Sequence, residues 1–377
     1  MSLILNNEHF EDETLHQHCS EKLKNAATPE WERPIYQFIL DWLSPADSML
    51  LNTSGSTGKP KRINATKAAM TASARLTQEA FNLKENDKAL LCLPACYIAG
   101  KMMIVRAFVC RLNLFTVEPD SAPLNKAPDH SFKLVSMVPP QLAHYQQTYS
   151  HEACLAYFKQ IDTLLIGGAP IPKSVEAFIY NLHCKSFHTY GMTETFSHIA
   201  LRRIQPNFTT YQTLPGVTVT TNAANCLIIK APPFSIDALA TTDIAQIHSD
   251  TEFTLIGRAD NTINTGGIKV QPEDVERKIE AAFKQHPVLI FPSKDDKWGQ
   301  QINLAIEAHY DDHLERHITA LLQNLKTLNK YERPKKIVFT EQFVYTKFGK
   351  LQRTKTIQKL TERRGYNSSI KDSPNNP

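Results

Sequence analysis

Hydrophobic positions along residues 1–260 alternate between helical spacing and short apolar runs. Ile35, Ile39 and Trp42 recur at helical spacing, with Pro34 in the first turn, where its missing N–H costs little. The apolar runs are typical of buried strands: Ala89–Leu93, Leu112–Val117, Leu134–Val138, Thr163–Ile166, Ser186–Tyr190 and Cys226–Lys230. Strands that alternate with helices predict a large N-terminal α/β domain with mostly parallel sheets, whose ligand site lies at the carboxyl ends of the strands.

The pattern changes after residue 260. Residues 261–365 predict a small C-terminal α+β domain. Its helices are Pro272–Gln285 and Asp311–Asn324, and its strands lie near Val288–Phe291, Ile302–Glu307 and Lys336–Thr340. Residues 366–377 are dominated by Asn, Ser, Asp and Pro, a composition typical of a disordered tail.

Composition narrows the class of protein. The 377 residues are 42% hydrophobic with a formal net charge of +4, which permits a substantial core but is too small to indicate nucleic-acid binding. Seven cysteines without C-x-x-C spacing indicate neither a disulfide framework nor a zinc site, and favour the reducing cytoplasm. His16, His18 and Cys19 could ligate a metal, although a polar helix carrying them by chance is the commoner explanation.

The amino terminus and the apolar runs bear on location. The first residues carry Glu and Asp where a signal peptide has Lys or Arg, and no apolar run approaches the roughly 18 residues that a membrane span needs. We therefore expect a protein that is neither exported nor membrane-spanning.

A glycine- and hydroxyl-rich loop follows the apolar run Met49–Leu51. Its residues are Thr53, Ser54, Gly55, Ser56, Thr57, Gly58, Lys59, Pro60 and Lys61. Glycine backbone lets N–H groups approach anionic oxygens, hydroxyls donate at the sides and lysine adds charge, so the loop is typical of a phosphate cradle. It is not a Walker P-loop, because the glycine spacing differs and proline follows Lys59, and a flexible turn is the alternative. Thr66 can cap a helix through Phe81, which places the loop near a helix start.

The loop resembles the signature T-S-G-S/T-T-G-x-P-K of the adenylate-forming superfamily of acyl-CoA synthetases, adenylation domains and luciferases. The match runs from Thr53 to Lys61, and one departure is Arg62, where the family usually has glycine. The resemblance implies that the loop binds the phosphates of ATP. The segment before the loop is shorter than in most relatives, so we expect an N-terminally shortened large domain.

A second motif, Y-G-x-T-E, covers Tyr190, Gly191, Met192, Thr193 and Glu194. The resemblance assigns Tyr190 to stacking on adenine, Thr193 to a phosphate oxygen and Glu194 to Mg²⁺. An aromatic face suits a purine, and a hard carboxylate suits magnesium. Without the resemblance, the motif would be a turn with a capping threonine.

Gly167, Gly168 and Ala169 follow an apolar run and correspond to the family's glycine-rich turn between adenine and acyl group. Read alone, they are a turn that ends a strand. Asp243 and Arg258 occupy the family positions that contact the ribose, although Thr242 replaces the usual glycine beside Asp243. Asp260 occupies the position of the hinge about which the small, mobile domain rotates. A lone charged residue of this kind is otherwise a surface charge.

Two motifs of the small domain complete the resemblance. Gly266, Gly267 and Lys269 match the loop that faces the active site during thioester formation, and read alone are a glycine turn before a helix. Lys350 occupies the position of the lysine that binds the carboxylate and α-phosphate during adenylation, with Phe348 in place of a small hydroxyl residue. In a lysine-rich tail, a solvated charge is the alternative for a single lysine.

The candidate residues for binding the acyl group are Tyr97, Arg106 and Ser197. Tyr97 replaces a histidine that many relatives have beside the acyl pocket, and Arg106 stands on an otherwise apolar helix, where it is costly to bury without an anion. The chain most resembles the o-succinylbenzoate:CoA ligases of menaquinone synthesis, which carry an arginine at this spacing to hold a substrate carboxylate. A structural ion pair or a snorkelling side chain is the alternative.

The resemblance as a whole implies an ATP-dependent acid:CoA ligase with Mg²⁺ and coenzyme A, acting on o-succinylbenzoate through an acyl-adenylate. The alternative within enzymes is another aryl or fatty acid:CoA ligase, or a stand-alone adenylation enzyme that loads a carrier protein. A non-catalytic nucleotide-binding protein is disfavoured because the five charged motif residues are present: Lys61, Glu194, Asp243, Arg258 and Lys350. The oligomeric state is not predicted.

Overall fold

The structure of the protein is a computed structural model, which describes residues 1–52, 62–346, 351–362 and 367–369. The strands of the larger sheet are β1 Ser2–Leu5, β2 Glu8–Glu11, β5 Lys88–Leu91, β6 Asn113–Thr116, β7 Phe132–Met137, β8 Ile161–Ile166, β9 Lys185–Gly191, β10 His198–Arg203, β11 Tyr211–Thr213, β12 Thr218–Thr221, β13 Cys226–Ala231, β14 Ile236–Ile247 and β15 Glu252–Arg258. A hairpin is formed by β3 Ser48–Asn52 and β4 Arg62–Thr66. The smaller sheet contains β16 Ile263–Thr265, β17 Ile268–Val270, β18 Val288–Asp295, β19 Gly299–Glu307, β20 Lys336–Thr340 and β21 Asn367–Ser369. The helices are α1 Asp12–Lys24, α2 Arg33–Leu43, α3 Lys67–Phe81, α4 Ile98–Cys110, α5 Pro139–Thr148, α6 His151–Phe158, α7 Lys173–Tyr180, α8 Pro272–Ala282, α9 Asp312–Asn324 and α10 Arg353–Glu362.

The centre of the larger sheet is parallel. Strands β6, β5, β7, β8 and β9 pair in that order and in parallel, as β1 does with β6. Side chains of β5 alternate between two cores, since Leu91 packs into the core on one face and Leu90 into the core on the other. Both faces are therefore covered, which explains why these strands read as continuous apolar runs.

The α/β class predicted from the sequence is confirmed, with one difference in strand direction. From β9 to β15 the pairs are antiparallel, so parallel pairing is confined to one half of the sheet. Strands such as β12 and β14 carry exposed positions among the buried ones, as antiparallel strands with one face toward water do. Beyond β9, the apolar runs identified only β13 in this half of the sheet.

The ends of the glycine- and hydroxyl-rich loop are held close together. Strands β3 and β4 form an antiparallel pair in which Asn52 lies opposite Arg62. Helix α3 begins directly after β4, and Thr66 caps it by accepting a hydrogen bond from the Ala69 N–H at 3.2 Å. The predicted cap is confirmed, whereas residues 53–61 lie outside the described residues.

The smaller sheet carries α8, α9 and α10. Arg353, at the start of α10, donates to the Glu276 carboxylate at 3.2 Å and to the Ile290 carbonyl at 2.9 Å, which ties this helix to α8 and β18. Residues 367–369, which composition assigned to the disordered tail, form β21 against β20. Residues 363–366 and 370–377 lie outside the described part of the chain. Within that part, none of the helices is both long and apolar enough to span a bilayer.

Contacts between the two sheet systems run through α8. Arg277 donates to the Ile256 carbonyl at 2.8 Å, and Gln271 donates to the Arg258 carbonyl at 2.9 Å. Helix α8 also packs on α7, where Glu280 is partly buried and burial, with the Glu276 charge, raises its pKa to about 7.

The charged groups around Glu280 predict a pH-dependent stability. These groups are Glu276 and Arg277 on its own helix, and Lys173 and Glu176 on α7. The pKa of Glu280 is higher in the folded state than its ordinary value of 4.5, so proton binding to this carboxyl stabilises the folded protein. This contribution to the free energy of unfolding is complete below pH 4.5 and is lost as the pH rises through about 7.

We expect Glu280→Gln to be more stable than the wild type at pH 8, by on the order of 1–3 kcal/mol, and about equally stable at pH 4.5. Thermal unfolding measured from pH 4.5 to 8.5 checks this, with Glu79→Gln on the exposed side of α3 as the control. Parallel pH curves for all three proteins would contradict it.

Candidate active site

Three of the predicted site residues lie at the carboxyl edge of the parallel strands. Gly167 follows β8, and Tyr190 and Gly191 end β9. The Gly167 N–H donates to the carbonyl of Met137 at the end of β7, at 3.2 Å. Three neighbouring strands therefore present backbone and side chains at one place, as expected for the ligand edge of an α/β sheet.

The glycine turn after β8 is required by close packing. A Cβ on Gly167 would lie 2.4 Å from the Thr189 hydroxyl, and Gly168 has a φ of +85°, a region that other residues rarely adopt. Thr189 in turn donates to the Ile166 carbonyl at 3.2 Å. The glycines therefore let β8 and β9 approach each other closely where the strands end.

His188 fixes the carbonyl of Ala169 in the same turn. Its Nε2 lies 3.1 Å from the Ala169 oxygen, and its Nδ1 lies 2.7 Å from the Tyr211 hydroxyl and 3.1 Å from Arg202 Nη2. Burial and the Arg202 charge lower the pKa of His188 to about 4, so the ring is neutral. A neutral ring that donates from Nε2 and accepts at Nδ1 satisfies all of these contacts.

Tyr190, Asp243 and Arg258 form a connected group. The Tyr190 hydroxyl donates to Asp243 Oδ2 at 2.7 Å, while Arg258 lies 3.7 Å from Oδ1 and contacts Asp260 at 3.0 Å. Asp243 and Arg258 are opposite each other on β14 and β15. Burial and the Asp243 charge raise the pKa of Tyr190 well above its ordinary value, so it remains a donor. Thr242, the departure from the family pattern, accepts from Arg258 at 2.5 Å.

Thr193 and Glu194 lie on a 3₁₀ turn after β9. The Thr195 hydroxyl braces this turn, since it accepts from the Met192 N–H at 3.0 Å and donates to the Ser197 carbonyl at 2.8 Å. Glu194 is partly buried and has no hydrogen bond or ion pair to the described residues. A single carboxylate of this kind fits Mg²⁺, which proteins hold by one or two carboxylates together with substrate phosphates. No cluster of three metal-binding side chains occurs in the described ranges, and His16, His18 and Cys19 do not form one.

Arg106 lies on α4 and is buried against α3 and β10, with 2% of its surface exposed. It donates from Nη2 to the Ser197 hydroxyl at 2.6 Å and from Nε to the Thr77 hydroxyl at 3.2 Å. No carboxylate of the described residues lies within ion-pair distance, and burial lowers the pKa of Arg106 to about 10. The alternatives of a structural ion pair and a snorkelling side chain therefore find no support in residues 1–52, 62–346 and 351–362.

Ser197 and Tyr97 lie at different ends of this region. Ser197 is adjacent to the Y-G-x-T-E segment, because its neighbour His198 pairs with Gly191, and a Cβ on Gly191 would lie 2.1 Å from the Ser197 carbonyl. Tyr97 precedes α4 as its N-cap residue and is 41% exposed. Arg106 and Ser197 are thus brought into direct contact, while Tyr97 is at the surface.

The glycine loop of the smaller sheet is a tight hairpin between β16 and β17. Gly266 and Gly267 have φ values of +60° and +82°, as a two-residue hairpin turn requires, and Lys269 is exposed. The Gly266 N–H donates to the Trp298 carbonyl at 2.9 Å, so this turn rests on its own sheet. Lys350 and the loop from Thr53 to Lys61 lie outside the described residues.

Two residues around Arg106 were missed by the sequence analysis, Thr77 and His198. Both are buried, at 0% and 6% exposure, and both contact the guanidinium. Thr77 carries a weak signal, since it is a polar residue on the buried side of a helix. His198 carries none, because its neighbour in space comes from a helix far away in sequence.

Comparisons with known proteins show the family and the fold of this chain. The model of a family described as AMP-binding enzyme matches residues 4–228. A crystal structure of an acyl-CoA synthetase (AMP-forming)/AMP-acid ligase II-like protein from Dyadobacter fermentans is 33% identical, with a TM-score of 0.58, over 92% of this chain and 98% of that one.

Two further relatives carry names with a defined substrate. A probable 2-succinylbenzoate–CoA ligase from Mycobacterium tuberculosis is 29% identical over 281 residues, which is 69% of this chain and 70% of the relative. The o-succinylbenzoate CoA synthetase of Bacillus subtilis, solved with its acyl-adenylate intermediate, has a TM-score of 0.70 at 20% identity over 84% of this chain and 69% of that one. At this identity the second likeness shows the fold alone.

Proposed function

Because this chain belongs to the AMP-binding enzyme family, we propose that it is an ATP-dependent acid:CoA ligase that activates o-succinylbenzoate. The observation that supports this choice of substrate is the buried guanidinium of Arg106, which has no carboxylate partner in the described ranges. Curated relatives named 2-succinylbenzoate–CoA ligase, at 29% and 25% identity, support the same substrate.

Electrostatics favour a dicarboxylic acid as the substrate. A buried cation without a counter-ion costs several kcal/mol, even when neutral hydrogen-bond acceptors surround it. O-succinylbenzoate has two carboxylates, of which one is activated and the other remains charged in the acyl pocket. The second carboxylate can accept two parallel hydrogen bonds from a guanidinium and supply the missing charge. Ser197, within 2.6 Å of Arg106, can contact the same group.

The reaction joins the acid to a thiol in two steps. A carboxylate oxygen attacks the α-phosphorus of ATP, the bond to the β-phosphate bridging oxygen breaks, and acyl-adenylate and pyrophosphate form. The thiol of coenzyme A then attacks the acyl carbon and AMP leaves. Bound Mg²⁺ would neutralise phosphate charge, with Glu194 as its protein ligand.

Nucleotide binding is assigned to three groups of residues, which contact adenine, ribose and phosphates. Tyr190 stacks on adenine, with the backbone of Gly168, Ala169, Gly191 and Met192 beside it; Asp243 and Arg258 contact the ribose; Thr193 and the loop from Thr53 to Lys61 contact phosphates. The observed contact between the Tyr190 hydroxyl and Asp243 supports the ribose assignment, because it fixes one carboxylate oxygen and leaves the other able to accept from a sugar hydroxyl. Gly167 and Tyr97 border the acyl group.

The two steps are assigned to two positions of a small domain. We place the large domain at residues 1–260, the small domain at 261–365 and the hinge at Asp260. Lys350 serves adenylation, and the hairpin of Gly266 and Gly267, with Lys269, serves the thioester step. A cytoplasmic location is supported by the free, buried thiols of Cys19, Cys92, Cys110, Cys154 and Cys226.

The proposal is tested by pyrophosphate release against a panel of carboxylic acids, with and without coenzyme A. The decisive pair is o-succinylbenzoate and 4-oxo-4-phenylbutanoate, which lacks the second carboxylate. Preference for a monocarboxylic acid would exclude o-succinylbenzoate as the substrate. Turnover that does not depend on coenzyme A would point to a carrier protein as the acceptor.

We expect Arg106→Ala to lower kcat/KM for o-succinylbenzoate by about tens- to thousands-fold, because truncating one partner of a buried charge pair costs about 2–5 kcal/mol. The monocarboxylic analogue should lose much less. Arg75→Ala, an exposed arginine on α3, is the control. Equal losses for both acids would remove Arg106 from substrate recognition.

Tyr190→Phe should weaken binding of ATP by on the order of tenfold, since it removes a hydrogen bond to a charged group. Isothermal calorimetry with a non-hydrolysable ATP analogue measures this, and Tyr180→Phe at an exposed position serves as the control. Unchanged affinity would show that Asp243 does not need this anchor.

Lys350→Ala should depress adenylation by on the order of 10²- to 10³-fold, because it removes a cationic donor where charge develops. Transfer of synthetic acyl-adenylate to coenzyme A should remain largely intact. Single-turnover measurements of each step check this, and equal losses in both would contradict a division of the steps between two domain positions.

A further inference from the structure

His198 is a buried histidine that the proposed reaction does not use. Its Nδ1 lies 3.4 Å from Arg106 Nη2, and its Nε2 lies 3.3 Å from the Thr77 hydroxyl. Burial and the Arg106 charge lower its pKa well below the ordinary value, so the ring is neutral and carries one proton. The position of that proton decides what the ring can do for the arginine.

Hydrogen bonding assigns the proton to Nε2. The Thr77 hydroxyl has one proton, which it donates to the Ser73 carbonyl at 3.1 Å. Its lone pairs then accept from Arg106 Nε at 3.2 Å and from His198 Nε2. With the proton on Nδ1 instead, two N–H donors would face each other between His198 and Arg106. The Nε2–H tautomer leaves the Nδ1 lone pair directed at the guanidinium.

The guanidinium of Arg106 has five N–H donors, one on Nε and two on each Nη. Nε donates to Thr77, and the two protons of Nη2 are directed at the Ser197 hydroxyl and at His198 Nδ1. Nη1 has only the Met103 sulfur at 3.7 Å, a weak acceptor, within the part of the chain that is described. One edge of the guanidinium is therefore held by neutral acceptors, and Nη1 keeps donor capacity.

We propose that His198 and Thr77 are positioning residues that orient the guanidinium of Arg106 for the second carboxylate of a dicarboxylic acid. This inference rests on the proposed function and deepens it. Neutral acceptors hold the cation in one orientation without neutralising its charge, whereas a carboxylate in their place would compete with the substrate. Acid selectivity thus depends on two residues that need no contact with the acid.

The test uses pairs of variants with matched shapes. His198→Leu removes the acceptor at Nδ1 and His198→Asn restores one there, while Thr77→Val removes the hydroxyl and Thr77→Ser keeps it. For each variant, kcat and KM are measured with o-succinylbenzoate and with 4-oxo-4-phenylbutanoate. We expect the Leu and Val variants to lose about tenfold more kcat/KM for the dicarboxylic acid than for the monocarboxylic acid, mainly through KM. The Asn and Ser variants should recover most of this difference.

A double-mutant cycle separates positioning from general destabilisation. In an Arg106→Met background, His198→Leu should produce no further loss of selectivity, because its effect passes through the arginine. Additive losses, or equal losses for both acids without recovery in the Asn and Ser variants, would overturn the proposal.

A substrate-free measurement distinguishes failure of this inference from failure of the proposed function. The ¹⁵N chemical shifts of the imidazole nitrogens report the tautomer at pH 7, and the His198 signal is identified by its loss in His198→Asn. An Nε2–H tautomer whose Nδ1 shift changes in Arg106→Met supports the arrangement, and Ser197→Ala is measured beside it because the Ser197 hydroxyl lies 3.4 Å from the same nitrogen. An Nδ1–H tautomer overturns it, whatever the substrate. If the wild type rejects o-succinylbenzoate but the tautomer and the cycle hold with another dicarboxylic acid, the substrate is wrong and the positioning stands.

Discussion

The buried positive charge of Arg106 is the constraint on which the rest of the site depends. Its guanidinium is enclosed by helices α3 and α4 and by strand β10, and it is surrounded by hydroxyl, imidazole and thioether groups rather than by a carboxylate of the described residues. Such a charge is unfavourable until an anion joins it. A negatively charged ligand beside Arg106 is therefore favoured, because the neutral side chains around the guanidinium do not neutralise its charge.

The sheet explains why this charge lies beside the nucleotide residues. Antiparallel pairing of β9 with β10 places His198 opposite Gly191, so the acyl-side residues Ser197 and His198 begin where the Y-G-x-T-E segment ends. A glycine is needed at 191 because any side chain would collide with the backbone of β10. One strand pair thus joins the segment proposed to bind the nucleotide to the residues proposed to recognise the acid.

A second buried histidine likewise lies against an arginine. His188 holds the carbonyl of Ala169 in the glycine turn, and its other nitrogen receives hydrogen bonds from Tyr211 and Arg202. Arg202 pairs with Glu176 on α7, the helix on which α8 of the smaller unit packs. The glycine turn is therefore linked by polar contacts to the surface where the two sheet systems meet.

The sequence by itself determined the α/β class, the capped helix after the glycine- and hydroxyl-rich loop, and the candidate residues of the nucleotide site. Each of these depends on local patterns: apolar runs, a threonine before a helix, and short motifs whose residues are neighbours in the chain. Tertiary structure decided the antiparallel half of the sheet, the partners of Arg106 and the neutral state of His188 and His198. Thr77, Arg106 and His198 come from two helices and a strand that are distant in sequence, and only their packing sets hydrogen-bond partners and burial, from which protonation follows. An arginine in an apolar helix was visible in the chain, but the lack of a carboxylate beside it became visible only after folding.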